Sequence, residues 1–280
     1  MTTGNGSAIF SPEQVSALFV EPVIARAVAT DPAVATVVRL KGPTWRAPRI
    51  TADPSAGWVA EGGEIPVSDA ALDEVVVVPS KVAGLTVVSS ELLEDSDDVA
   101  AGVLGDGLTR DTARQLDTAF VGDGTAPNTP TGLAGVGYQE IVGGALVDLE
   151  AFARAAAAAE NVGANITAWL CSSSMALRLA GLKDGDGSNR GLLQLDPAAP
   201  SRRIAEGRPI IVTPDVPADQ VWGVDARRIF TILRTLDAEV TADASPYFSS
   251  DRVAVRSRLR GGFGFIHPES VVHITYSPAV

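Results

Sequence analysis

Trp58-Val-Ala-Glu-Gly-Gly-Glu-Ile-Pro66 is the stretch on which the reading of the chain turns. It lies between a leg punctuated by Pro43, Pro48 and Pro54 and a β-rich return, Leu72-Asp-Glu-Val-Val-Val-Val78, which continues from Lys81 to Val88. Gly57, Gly62, Gly63 and Pro66 supply an open turn between the legs. Few large apolar residues stand near the tip, so a hairpin of this length has no core of its own and needs a neighbour to hold it. Beyond it, Ser89-Ser-Glu-Leu-Leu-Glu-Asp-Ser96 opens a helix, with Asp95, Asp97 and Asp98 at the positive end of the macrodipole. Val99, Val103, Leu104, Leu108, Leu116 and Phe120 fall on one side of it, and Asp106 with Arg110 forms an i,i+4 pair on the outer side. Gly102, Gly105 and Gly107 each cost up to about 1 kcal/mol relative to alanine, which calls for close packing against another backbone, or a bend. An extended arm joined to a long rod, from Trp45 to Phe120, suggests a subunit that tiles.

Upstream, Ser11-Pro-Glu-Gln14 begins a helix with a serine cap and proline at its first position. Val15, Leu18, Phe19, Val23 and Ile24 give this helix one apolar face, and Pro22 is expected to kink or end it. Such a segment suits an arm laid along another surface and equally a first helix packed on its own core. Val34 to Leu40 reads as a short strand. Downstream, Gly122-Asp-Gly-Thr-Ala-Pro-Asn-Thr-Pro-Thr-Gly132 ends the long helix and marks a subdomain boundary. Asp148 caps a helix from Leu149 to Asn161, Ile166 to Cys171 is a strand, and Ser173 or Ser174 opens a helix ending at Gly181. Pro209 to Thr213 is a strand and Gln220 to Leu236 a strand pair, so the middle portion reads as compact α/β or α+β. Arg252-Val-Ala-Val-Arg-Ser-Arg-Leu-Arg260 alternates with period two, with Val253, Val255 and Leu259 on one face and Arg252, Arg256, Arg258 and Arg260 on the other. The arginine face can engage acidic neighbours or lie in water. Gly261-Gly-Phe-Gly264 reads as a turn, and Val271 to Tyr276 as a closing strand.

Composition sets outer bounds. With 46% hydrophobic and 20% charged residues, 280 residues bury one large core or two interleaved ones, which excludes wholesale disorder. A net charge of −12 argues against a protein that grips nucleic acid by neutralising phosphates over its whole surface. Only Lys41, Lys81 and Lys183 are lysines, so the positive charge is almost all arginine, the better partner for bidentate carboxylate pairing; genomic base composition produces the same bias. The single cysteine, Cys171, excludes an internal disulfide and reads as a core thiol in Ala168-Trp-Leu-Cys171. No basic leader or long apolar span is apparent, so the expectation is a soluble protein made in the cytoplasm, without membrane contact.

Few residues suggest catalytic chemistry. His267 and His273, the two histidines, stand too far apart for one ion, so no metal is expected. Lys183-Asp-Gly-Asp-Gly-Ser-Asn189 begins like a calcium loop, but Asn189 takes the place of the glycine and Leu195 that of the bidentate acid. Neither Gly122-Asp-Gly124 nor Gly261-Gly-Phe-Gly264 has the setting of a phosphate cradle, and Ser172-Ser-Ser174 lacks a nucleophile elbow. Glu61 and Glu64 in a glycine-rich loop suit arginines or water better than acid–base work. No cofactor or enzymatic activity is expected.

Trp58 to Pro66, the return through Val75 to Leu85, Ser89 to Ser96, the helix end from Asp117 to Gly124, Pro130-Thr-Gly-Leu133, and the late arginine run followed by Gly261, Gly262 and His267-Pro268 come in an order that resembles the major capsid proteins of tailed bacteriophages. The resemblance implies an α+β chain of the HK97-like fold. It places an N-terminal arm at residues 1–38, a discontinuous peripheral domain at 39–45, 80–130 and 250–280 with a spine helix near Asp97 to Val121, an extended loop at 46–79, and an axial domain at 131–249. It implies pentamers and hexamers in an icosahedral shell around phage double-stranded DNA, bound without sequence specificity, in a virion assembled in the bacterial host cytoplasm. Portal and decoration proteins are implied partners, and the short arm implies a separate scaffolding protein or none. Inter-subunit contact candidates are Trp58, Glu61, Gly62, Gly63, Glu64, Ile65, Pro66, Arg252, Arg256, Arg258 and Arg260. Some relatives cross-link a loop lysine to another subunit; here no lysine lies between Arg46 and Pro79. A nanocompartment shell of the encapsulin type, around a cargo enzyme, is the alternative within the same fold; an enzyme with an unrecognised carboxylate site or a monomeric binding domain is the alternative outside it.

Overall fold

Two long strands, β11 (Ile229–Asp243) and β12 (Arg252–Phe265), form the backbone of one half of the molecule. They pair antiparallel, from Ile229 opposite Phe265 to Asp243 opposite Ala254, with a bulge between Arg234 and Glu239. The structure is a computed structural model and describes residues 19–52, 54–62, 64, 67, 69, 71–89, 99–185, 188–195, 203–243 and 245–277. On either side of the pair, β1 (Thr36–Leu40) joins β11 in parallel and β4 (Ser80–Ser89) joins β12 antiparallel, giving the order β1-β11-β12-β4.

Across one face of this sheet lies the 23-residue helix α2 (Val99–Val121), about 34 Å long at helical rise; α1 is Glu21–Arg26. Ala113, Leu116 and Phe120 of α2 are buried, and Phe120 meets Phe263 edge-on at 5.1 Å. Val103, expected on this face, is 63% exposed. Asp106 pairs with Arg26 at 3.2 Å rather than with Arg110. Gly105 and Gly107 do not admit another backbone: nothing lies within 4 Å of a Cβ at Gly105, and Gly107 meets only the tip of Arg110. The expected opening of the helix from Ser90 to Asp98 lies outside the described residues.

The segment before β1 belongs to the chain's own core. Phe19, Val20, Val23, Ala29 and Val34 are buried in the cluster that holds Leu116, Phe120, Leu233 and Leu259. Of the two readings of this segment, packing on the body is the one seen from Phe19 onward. Pro22 stands at the start of α1, directly after a π-helical turn at Phe19 and Val20, and the expected helix start at Ser11 lies outside the described residues.

The other half is a seven-stranded sheet of order β5-β13-β10-β6-β9-β8-β7, made of β5 (Gln139–Gly144), β6 (Ala168–Cys171), β7 (Gln194–Leu195), β8 (Arg203–Ala205), β9 (Arg208–Val212), β10 (Gln220–Val224) and β13 (Val272–Tyr276). Every residue of β6 is buried, because both faces are covered. Ala168 and Leu170 enter the core shared with α2, while Trp169 and Cys171 point to helices α3 (Glu150–Asn161) and α4 (Ser173–Gly181) with Phe152, Met175 and Leu179. Asp148 accepts the Glu150 amide at 2.9 Å, and Ser172 caps α4 by accepting the Met175 amide at 3.2 Å, one residue earlier than expected.

Two expectations are corrected. Gln220 to Leu236 does not form a strand pair: β10 and β11 belong to different sheets, and Asp225 fixes the crossing by accepting the Asn165 and Arg227 amides at 3.0 Å each. Gly261 to Gly264 is not a turn but the continuation of β12. The glycines are required by approach from both faces. A Cβ at Gly261 would stand 2.9 Å from Leu116 Cδ1 of α2, and one at Gly262 2.9 Å from Val77 Cγ1 on the opposite face.

Candidate assembly surfaces

The third sheet is the hairpin of β2 (Trp45–Ala52) and β3 (Ala71–Val77), paired antiparallel from Trp45 opposite Val77 to Ala52 opposite Ala71 with a register shift between Ile50 and Ala52. Pro48 falls within β2, where a two-stranded ribbon leaves an outer N–H position that needs no partner. After Pro79 the chain leaves the hairpin and β4 joins the four-stranded sheet, so the return does not continue the hairpin through Val88 as expected. Arg46 pairs with Glu74 and Arg49 with Asp73, each at 2.8 Å. Hydrogen bonds from the Glu74 amide and from Arg49 hold the Asp73 carboxyl below the usual carboxylate range.

Only the root of the hairpin is buried. Ala47 and Val77 are covered, and Trp45 tilts onto Phe230 at 5.1 Å, above Gly264. The face that carries Pro48 presents Val76, Ile50 and Leu72 to solvent at 46%, 48% and 72%, with the Arg46–Glu74 pair between them. Nine of the fourteen exposed large apolar side chains among the described residues lie between Ile50 and Val87, a concentration that marks an interaction surface rather than ordinary scatter. Trp58 is fully exposed at the outer end, with Glu61 and Glu64 exposed beside it and Gly62 at φ 77° where the chain turns. Gly63, Ile65 and Pro66 lie outside the described residues.

The second surface is the face of the four-stranded sheet turned away from α2. Along β12 it carries Arg252 opposite Ser89, Arg256 opposite Leu85, Arg258 opposite Ala83 and Arg260 opposite Lys81. Arg252 and Arg256 are exposed and Arg258 and Arg260 half-buried, whereas Leu259 on the other face is fully buried and Val253 and Val255 are half-buried. From β11, Arg234 stands opposite Arg260 and Thr241 opposite Arg256. Asp243 is held below the usual carboxylate range, chiefly by hydrogen bonds from the Ser245 hydroxyl and amide, with Arg256 adding to it. Exposed Leu85 and Val87 of β4 border the basic ladder. The apolar residues exposed on the hairpin and on β4 escaped the sequence reading.

The reactive side chains sit in structural roles. Cys171 is buried, and burial pushes its thiol up to about 12. His273 stacks on Trp222 at 4.1 Å, and burial lowers its pKa, opposed by Glu140 and Asp219. Among the described residues no three His, Cys, Asp or Glu side chains group so as to hold a metal ion, and no helix is long and apolar enough to cross a membrane.

A hairpin arm rooted on a four-stranded sheet, a long helix under that sheet and a second, larger sheet with its own helices define the HK97-like class of capsid folds. The chain belongs to the phage capsid family, whose model matches residues 10–276. Its fold is shared with a solved structure from Microbacterium phage Oxtober96, 17% identical over 99% of this chain and 96% of that one at a TM-score of 0.72. It is also shared with the capsid of an empty GTA particle computed with C5 symmetry, 19% identical over 99% and 96% at 0.71, and with a structure from Mycobacterium phage Cain, 19% identical over 98% and 100% at 0.71. At these identities the likeness is one of fold. No curated protein matches the chain in sequence.

Proposed function

We propose that this structural protein assembles with copies of itself, as pentamers and hexamers, into an icosahedral shell that encloses phage double-stranded DNA. The observation that carries the proposal is the hairpin: it is buried only at its root, and its outer length presents apolar side chains that the described residues of its own chain leave exposed. In this reading residues 46–79 are the extended loop and residues 1–38 the arm. The peripheral domain comprises 39–45, 80–130 and 250–280, and the axial domain 131–249. Trp58, Glu61 and Glu64 at the tip meet the Arg252, Arg256, Arg258 and Arg260 ladder of a neighbouring copy. Exposed ion pairs contribute about 1 kcal/mol or less each, so stability comes from many modest contacts repeated around a closed symmetry. With a net charge of −12, contact with packaged DNA is local and independent of sequence.

Deletion of residues 57–66 tests the proposal. The expected product is a folded subunit, unchanged in far-ultraviolet circular dichroism, that sediments as free chains or capsomers and forms no closed particles by electron microscopy. Normal shells from the deletion refute the role of the arm. A stable 28.9 kDa monomer from the intact chain refutes the shell altogether, and particles filled with a protein cargo and free of DNA refute the contents.

A further inference from the structure

All four strands of the first sheet come into register at one row, in which Leu40 of β1, Arg234 of β11, Arg260 of β12 and Lys81 of β4 stand side by side. Residues directly opposite one another on neighbouring strands share a face, and strands lie about 4.8 Å apart, so the three cations span about 10 Å. Their face is the one turned away from α2. Gly261 approaches Leu116 of that helix, so Arg260 and Gly262, on either side of it, point the other way. Gly262 is roofed by Val77 and Pro79, and Gly264 by Trp45. The row is thus the first that the root of the arm leaves uncovered, in the angle between arm and sheet. Arg234 and Arg260 are half-buried there, and Lys81 is exposed on the edge strand.

Like charges directly opposite one another destabilise a sheet, and partial burial weakens the screening that softens such repulsion at an open surface. A chain of net charge −12 has acids in excess, yet none stands in this row. Those nearest are placed elsewhere. Glu239 is opposite Arg258, two residues back along β12. Asp73 and Glu74 of the arm pair with Arg49 and Arg46 at 2.8 Å each. Asp123 lines, with Lys81, a groove on the α2 side of the edge strand, and its carboxyl accepts the Thr125 amide and hydroxyl at 3.0 and 2.8 Å. The row therefore carries an electrostatic cost that an anion from outside the chain removes.

We propose that Arg234, Arg260 and Lys81 form a binding site for a small polyphosphate, an anion with two or more linked phosphoryl groups. Each guanidinium presents a planar fork of N–H donors to an oxyanion, and the lysine ammonium adds a mobile point charge. One phosphoryl group reaches two neighbours in the row; two linked groups reach all three. The root of the arm, at Val77 and Pro79, walls one side of the site and fixes where along the sheet the anion sits. An occupant neutralises the row and ties edge strand β4 to β12 and β11, so it stabilises the sheet beside the point where the arm leaves. This goes beyond the shell reading, in which Arg260 meets acids of a neighbouring copy, and concerns the single chain.

Calorimetric titration of sodium pyrophosphate into the purified full-length chain, dissociated from any particle and held at constant ionic strength with sodium chloride, tests the site. The expected result is saturable binding of one pyrophosphate per chain, with a thermal midpoint that rises with pyrophosphate concentration. Arg234→Gln, Arg260→Gln and Lys81→Gln are each expected to weaken binding by about 10-fold or more, the loss of one charge-assisted contact. Lys81→Gln, on the exposed edge, keeps the test open if an arginine variant misfolds. Arg252→Gln, at the far end of the same strand, is expected to bind like the parent. Duplex DNA at the same phosphate concentration is expected to bind more weakly than pyrophosphate. Absence of saturable binding, equal weakening by Arg252→Gln and the row variants, or binding of the duplex without binding of pyrophosphate overturns the proposal. The measurement is made on the single chain, so its failure leaves the shell reading standing.

Discussion

Replacing Gly264 with alanine asks whether the arm is held at its root. The position stands opposite Phe230 on β11, and a Cβ built there lies 2.6 Å from Cζ3 of Trp45, with two further ring atoms at 3.3 Å. The contact is with the flat of an indole and not with the far end of a flexible chain, and the ring is already laid on Phe230 at 34°. It must move as a plate, and overpacking of this kind costs about 1–3 kcal/mol. Against that, alanine has less freedom to lose from the unfolded chain, worth about 0.5–1 kcal/mol. The net expectation for Gly264→Ala is a loss of about 1–2 kcal/mol in urea denaturation, seen as a lower midpoint at constant slope. Because Trp45 begins β2, the arm is also expected to turn on its root, so particles from this variant close poorly. Trp45→Leu in the same background removes the clash, and the double variant should cost less than the sum of the two single ones. Parent-like stability in Gly264→Ala, or additivity within about 0.5 kcal/mol, would refute the packing reasoning.

Three other outcomes are expected. Phe152→Ala empties a fully buried site where the ring meets Trp169 edge-on at 4.8 Å, and should cost about 3–5 kcal/mol in the same denaturation assay; a loss under about 1 kcal/mol would contradict the packing of α3. Cys171, with its thiol raised to about 12, should resist an aromatic disulfide reagent at pH 8 in the folded chain and release one equivalent of thiol in denaturant; rapid labelling of the native protein would count against its burial. Since no lysine lies between Arg46 and Pro79, particles boiled in detergent should run as single chains; a covalent ladder with its link mapped to the arm would be the contrary result.

The elements legible in the sequence were those whose signal is local. Asp148 marks the start of α3, Ser173 and Ser174 mark that of α4 to within one residue of its cap, and the apolar run into Cys171 marks a strand covered on both faces. The misread elements are those whose residues answer to distant neighbours. Gly261, Gly262 and Gly264 look like a turn because glycine interrupts the alternation of β12. Their small size is needed because Leu116 approaches from one side and Val77 and Trp45 from the other, and nothing within a few residues announces those partners. The division of Gln220 to Asp243 between two sheets is equally silent in the sequence, since both strands are apolar and only the topology assigns them. Asp106 has two arginines in reach of a pairing rule, and the spacing to Arg110 hides the one across the interface, Arg26. The candidate surfaces were half visible: the arginine alternation predicted a face, but the apolar stripe of Ile50, Leu72 and Val76 was hidden by a proline in β2 that reads as punctuation.

That stripe bears on how the arm acquires a fixed shape. A two-stranded ribbon is marginal in water without a third strand or a packed face. The pairs Arg46–Glu74 and Arg49–Asp73 reach solvent, with only Arg49 half-buried, so they add little to the stability of the ribbon. Apolar burial is confined to Ala47 and Val77, with Trp45 and Val75 half-buried, at the root, and from Ile50 outward the ribbon has no buried side chain among the described residues. The root therefore sets the direction in which the arm leaves the sheet, while the stabilisation of its outer length must come from whatever covers the stripe. On the proposed reading that cover is a neighbouring copy. Disorder of the outer arm in free subunits and order in particles then follow from the same burial pattern. Exchange at residues 50–62 should be fast in dissociated chains and protected after assembly, with residues 45–48 protected in both. Equal protection of the outer residues in the dissociated chain would mean that the ribbon stabilises itself, and the case for a covering neighbour would lose its physical basis.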